Sequence, residues 1–177
     1  MKTVTYEEFL KFNPRLEAGE VEQIKAYFDC FGGKMSASDI LKLENMRSED
    51  KLFVVSHEEF IPAPILHELS CVCAEYALSL VKEPDPRSID AIKVKRAWIH
   101  GEATDEELTA AYTAARDVTY DAPSRTAYWT AQAAVEAAWA GYDTAYWAAC
   151  NNACVTTEAA VFDAMVTYLI MALEEEV

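Results

Sequence analysis

The chain has 177 residues, 52% hydrophobic and 11% aromatic, with a formal net charge of −15. Such a length and composition supply a well-buried core and exclude a disordered chain, while five glycines and six prolines leave little turn material for an all-β architecture. The acidity disfavours a surface that attracts nucleic acid or anionic lipid. It is also uneven. Residues 1–101 carry thirteen Lys/Arg against seventeen Asp/Glu, whereas residues 102–177 carry two, Arg116 and Arg125, against thirteen.

Taken in order, Thr5-Tyr6-Glu7-Glu8 is a capping box that opens a short helix, ended by Asn13-Pro14. Val21, Ile24, Tyr27, Phe28 and Phe31 recur at helical spacing, predicting a helix from Ala18 to Phe31 that stops at Gly32-Gly33. Ser36 or Ser38 caps a third helix, and Ser48 begins a fourth through Leu52, Phe53 and Val55. No stretch predicts a strand: the LFVVS run at Leu52 to Ser56 is the candidate, and its flanks are helical.

Pro64 is placed as the first residue of a helix reaching Val81, with Ile65, Leu69, Val72, Cys73, Tyr76 and Leu80 as its apolar stripe. A two-proline turn, Glu83 to Ser88, leads into a helix from Ile89 to His100. Ala91, Ile92, Val94, Trp98 and Ile99 face inward there, and Lys93, Arg96 and His100 form a basic face. Gly101 ends this helix, and Thr104 to Glu107 is a second capping box.

An alanine field follows. Ala111, Ala122 and Ala133 recur every eleven residues, as do the pairs Ala137-Ala138, Ala148-Ala149 and Ala159-Ala160. Eleven residues make three turns, so these alanines stay on one side of a nearly straight helix and let a neighbour approach closely. Pro123 and Gly141 interrupt the field, predicting helices over 105–121, 124–140 and 142–154. A last helix, 157–173, is apolar on most faces and suits either the core or the seam of a homo-oligomer. The expected fold is all-α: a multi-helix bundle whose C-terminal half is a long, kinked Ala/aromatic-rich helical array. Residues 1–61 form a small N-terminal helical subdomain and residues 62–177 the bundle, together one compact domain.

Candidate chemistry is sparse. His67 with Cys71, and Cys150 with Cys154, sit at i, i+4 spacing and would make a tetrahedral zinc site if their helices met. Buried structural cysteines are the commoner reading, so no metal or other cofactor is expected. Five thiols, an odd number, with no secretory apolar leader predict a reducing, cytoplasmic setting. The longest apolar run, Val161 to Leu173, contains Asp163 and is too short to span a membrane. Three histidines on separate helices, without a nucleophile elbow, a zinc-protease helix or a phosphate loop, argue against an enzyme.

The acidic half offers binding instead. Asp117, Asp121, Glu136 and Asp143 project from the alanine-rich helices with almost no nearby cations, a row suited to docking on a basic protein or imitating a phosphate backbone. The alternative from another class is a small-molecule or cyclic-nucleotide sponge, with Trp and Tyr stacking on a base and Arg87, Lys93 and Arg96 as phosphate ligands.

Two blocks carry a resemblance: FIPAPILHELSCVCAEYAL (Phe60 to Leu78) and PDPRSIDAIKVKRAWIHGEATDEELTAA (Pro84 to Ala111), followed directly by the Ala/aromatic tract. In this order the parts resemble a family of alanine-rich phage and gut-bacterial proteins labelled immunity proteins. Here the tract has two arginines where the family often has many, and Pro123, Gly141 and Asn151-Asn152 break it. The resemblance implies a phage or mobile-element protein that neutralises a protein partner. With the acidic half, the expectation is a non-enzymatic inhibitor of a basic target, such as a toxin or, in the manner of an anti-CRISPR, a defence nuclease.

Overall fold

The computed structural model describes residues 2–12, 18–57, 60–122, 125–139, 147, 148, 150, 151 and 160–175. Among them the protein is all-α, nine helices accompanied by one two-stranded ribbon. The chain divides into two compact units, Met1–Pro62 with Phe162–Val177, and Ala63–Val161. The final helix thus belongs with the N-terminal unit.

In that first unit, β1 (Thr3–Thr5) leads into α1 (Tyr6–Lys11) and α2 (Ala18–Cys30), followed by β2 (Lys34–Ser36), α3 (Ala37–Leu41) and α4 (Ser48–Val55). The ribbon corrects the expectation of no strands: β1 and β2 pair antiparallel, with Val4 opposite Met35. Three-residue strands are too short to show an alternating pattern. Their ends are the helix caps themselves, since Thr5 and Ser36 are extended residues whose hydroxyls accept from the amides of Glu8 and Asp39. Gly32 and Gly33, at φ of +72° and +84°, turn the chain from α2 into β2 through left-handed backbone that favours glycine.

Large side chains fill this unit. Phe9, Ile24, Phe28, Met35, Ile40 and Leu41 are essentially inaccessible, and the Phe9 and Phe28 rings lie 5.4 Å apart. The last helix, α9 (Ala160–Glu175), buries Phe162, Met165, Val166, Leu169 and Leu173 and leaves Met171 exposed. Its apolar side is therefore occupied within the chain and is not a free seam. Ser48 Oγ donates to Asp163 (2.5 Å), and Lys42 pairs with Glu174 (2.8 Å).

The second unit contains α5 (Ala63–Ser79), α6 (Pro86–Ile99), α7 (Asp105–Asp121) and α8 (Arg125–Ala138). Helix α8 packs on all three others, because its buried side is almost entirely alanine: Ala131, Ala133, Ala134, Ala137 and Ala138, with Thr130 and Val135. Small side chains also face it, Ala74 and Ala77 from α5 and Ala91 from α6. With no bulk on either side, backbones come close and dispersion contacts accumulate over long helices.

Two local expectations change here. Tyr76 and Leu80 stand 44% exposed, and the buried side of α5 is Leu66, Leu69, Cys71, Cys73, Ala74 and Ala77. The helix turns its small residues to the alanines of α8 rather than its bulkiest ones. Helix α6 begins at Pro86, three residues before Ile89, with Asp85 as N-cap accepting from the Arg87 amide (2.9 Å). Proline in the first turn has no amide to satisfy, so it starts a helix well. Of the predicted 142–154 helix, Trp147, Ala148, Cys150 and Asn151 are described and helical. No helix among the described residues is long and apolar enough to cross a membrane.

Candidate binding face

Helix α7 is opened by the Thr104–Glu107 capping box, each side chain bonded to the other's amide (3.2 and 2.8 Å). Asp105, Glu106 and Glu107 occupy its first turn, where the helix dipole favours negative charge. Leu108, Ala115 and Val118 point into the unit, which leaves Asp105, Thr109, Thr113 and Asp117, at four-residue steps, along the exposed side. Thr109 and Thr113 donate their hydroxyls back to the carbonyls of Asp105 and Thr109 (2.8 and 2.9 Å). With those hydroxyls engaged, the stripe offers methyl groups between two carboxylate ends. None of Asp105, Glu106, Glu107 or Asp117 makes an ion pair among the described residues.

Beside the stripe lies an aromatic recess between α7 and α8, lined by Tyr112, Gln132, Val135, Glu136, Trp139 and Trp147, of about 310 Å³. Tyr112 and Trp139 meet with centroids 5.0 Å apart, yet Trp139 and Trp147 remain 48% and 49% exposed. Half-exposed tryptophans over a recess are the side chains that dominate protein–protein contacts.

The four carboxylates expected as a row separate into different settings. Asp117 is on the stripe. Asp121, one turn further, has Arg87 Nη2 at 3.6 Å, a cation brought in from α6 beside a row expected to have almost none nearby. Glu136 is half-buried in the recess and accepts from Gln132 Nε2 (2.8 Å). Asp143 lies outside the described residues.

The three cations expected as phosphate ligands are each held by carboxylates. Arg87 makes a two-point contact with Asp85 (2.9 and 3.0 Å), which holds the Asp85 carboxyl below its ordinary range. Lys93 pairs with Asp90 (3.1 Å). Arg96 bonds both Glu68 (2.7 Å) and Glu75, contacts that raise its already high pKa. A phosphate would have to displace these partners.

His67 and Cys71 do share α5 and are both buried, and Cys150 is half-buried, while Cys154 lies outside the described residues. Among the described residues no three His, Cys, Asp or Glu side chains converge as a metal site would require. Burial, with Glu68 adding to it, pushes the Cys71 thiol up to about 12, and burial raises Cys73 as well.

One buried group was not anticipated. Lys95 has no exposed surface, donates to the carbonyl of Trp139 (2.8 Å) and lies over the Trp98 ring (4.3 Å). Trp139 follows directly on α8, so the ammonium caps the negative end of that helix from α6. Burial lowers Lys95 to about 8. The neighbouring His67, edge-on to Trp98, is lowered to about 4 by burial first and by Lys95 second. The signal was present in the spacing: Ser88, Ala91, Ile92 and Lys95 fall on one side of α6, all buried.

Comparison of the chain with protein-family models, with curated proteins and with solved structures finds no match.

Proposed function

We propose that the protein is a non-enzymatic, acidic helical protein of a phage or mobile element that acts in the cytoplasm by binding and blocking a protein with a basic surface. The target is a toxin or a defence nuclease. One observation carries the reading: Asp105, Glu106, Glu107 and Asp117 of α7, exposed and without ion pairs among the described residues, beside two half-exposed tryptophans. Asp105 and Asp117 stand about 18 Å apart along the helix at 1.5 Å per residue, a span that matches a basic groove rather than a point contact. The carboxylates steer a cationic partner and fix its register, and Trp139 and Trp147 supply the desolvated anchors. Occlusion is then steric and electrostatic.

The test is capture of a partner from host lysate by the tagged protein at low and high salt, with Glu106→Lys/Asp117→Lys and Trp139→Ala beside it. Asp105 and Glu107 are left intact because they hold Trp98 and the helix cap. The reading expects a basic partner released by salt, weakened roughly tenfold or more by the double charge reversal and again by Trp139→Ala. A partner held equally by the charge-reversed protein, or none at either salt, overturns it.

A further inference from the structure

The aromatic recess between α7 and α8 has a chemistry of its own. Its volume of about 310 Å³ is at the small end of ligand sites, which span about 300–1,000 Å³, and has room for one long side chain. Three rings line it, Tyr112, Trp139 and Trp147, together with Gln132 and Glu136. Tyr112 and Trp139 meet at an interplanar angle of 60°, so they form a corner and not a stack. Lys95 donates to the Trp139 carbonyl (2.8 Å), which fixes the backbone under that ring before any partner arrives. Aromatic faces carry negative potential and attract a cation within about 6 Å of the ring centre.

Charge selects the same occupant. Among the described residues lining the recess, Glu136 is the one charged group, half-buried and accepting from Gln132 Nε2 (2.8 Å). Rings alone would take any apolar side chain, but an apolar occupant would desolvate the carboxylate, whereas a cation satisfies it. Arg116 already lies over the Tyr112 ring at 5.8 Å, so this ring does take a cation. That arginine lines the neighbouring cleft with Asp105 and Thr109, and not the recess. A guanidinium suits the recess better than an ammonium, because its plane stacks on a ring while its N–H fork reaches a carboxylate.

We propose that the recess seats an arginine side chain of the basic partner, stacked on Trp139 and directed at the Glu136 carboxylate. This rests on the partner-binding reading above and names the residue that the partner inserts. Its test uses no partner.

The full chain, isotope-labelled, is titrated at constant ionic strength with N-acetyl-arginine methylamide and its lysine and citrulline counterparts. Nuclear magnetic resonance follows the indole N–H signals of Trp139 and Trp147, assigned with Trp139→Phe and Trp147→Phe. The arginine probe should shift both signals saturably with a Kd of about 1–10 mM. The lysine probe should bind about threefold more weakly, and the neutral citrulline probe about tenfold more weakly. Glu136→Gln keeps an acceptor for Gln132 and should weaken arginine about fivefold while leaving citrulline unchanged. Glu106→Lys/Asp117→Lys should leave the arginine Kd within about twofold, because those charges lie outside the recess.

No saturable shift at about 50 mM probe, lysine or citrulline binding as tightly as arginine, or arginine binding unmoved by Glu136→Gln overturns the proposal. A loss on Glu106→Lys/Asp117→Lys as large as that on Glu136→Gln also overturns it, since the attraction would then belong to the whole acidic surface. A seated arginine probe with no partner in lysate strikes the partner reading and leaves the arginine site standing. A captured partner with no probe in the recess strikes the arginine site alone.

Discussion

The two units bury their interiors by opposite means. The N-terminal unit fills a small space with Phe9, Phe28, Met35 and branched aliphatics on short helices. The Ala63–Val161 unit uses long helices whose facing side chains are mostly methyl groups, so that backbones do the packing. A large side chain concentrates its stabilisation at one point, and a small one spreads it along a seam. The first unit should therefore be sensitive to loss of volume and the second to its gain.

Phe28→Ala is the sharpest test of the first half of that statement. Phe28 is 1% exposed and touches two other rings, so its loss should cost about 3–5 kcal/mol, read by denaturant unfolding followed by circular dichroism. In the second unit the largest effect is one of pH. His67 is lowered to about 4 in the folded state from an ordinary 6.5, so between these values the unfolded chain binds the proton and the folded one does not. Stability then rises with pH across that window, and on acidification up to about 3 kcal/mol is lost. All four tryptophans lie in this unit, so their fluorescence follows it, and His67→Leu should flatten the dependence.

Ala134→Leu tests sensitivity to gained volume. At 0% exposure, in contact with the alanines of α5, the added carbons have no space and should cost about 1–3 kcal/mol by the same fluorescence measurement. Ala134→Leu causing no loss would mean the seam is loose and would remove the distinction between the units. The smallest effect belongs to the surface: Thr104→Ala removes a hydroxyl bonded to the Glu107 amide and should cost about 1 kcal/mol.

What could be read from the chain was mostly local. The capping boxes at Thr5 and Thr104, the glycine stop after α2 and the helical period of α7 involve residues within one turn of each other, and all appear where spacing puts them. Pairings between helices were out of reach. Nothing near Asp121 in the sequence names Arg87 as its neighbour, and the β1–β2 ribbon depends on a contact that closes across α1 and α2. Lys95 was a different failure. Its spacing placed it inside, and its charge argued it outside; the carbonyl of Trp139 and the Trp98 ring settle the conflict.

The alanine side of α8 also constrains how this sequence drifts. A single base change in an alanine codon yields valine, threonine, proline, aspartate, glutamate, serine or glycine. At Ala133, Ala134 or Ala137 all but the last two add branches, a charge or a broken helix to a closed seam. Serine brings a hydroxyl that must find a partner, and glycine loosens the helix by about 1 kcal/mol. Almost every one-step mutation along this helix is therefore a loss, and variation is channelled to its solvent side, where Arg125, Thr126 and Tyr128 stand exposed.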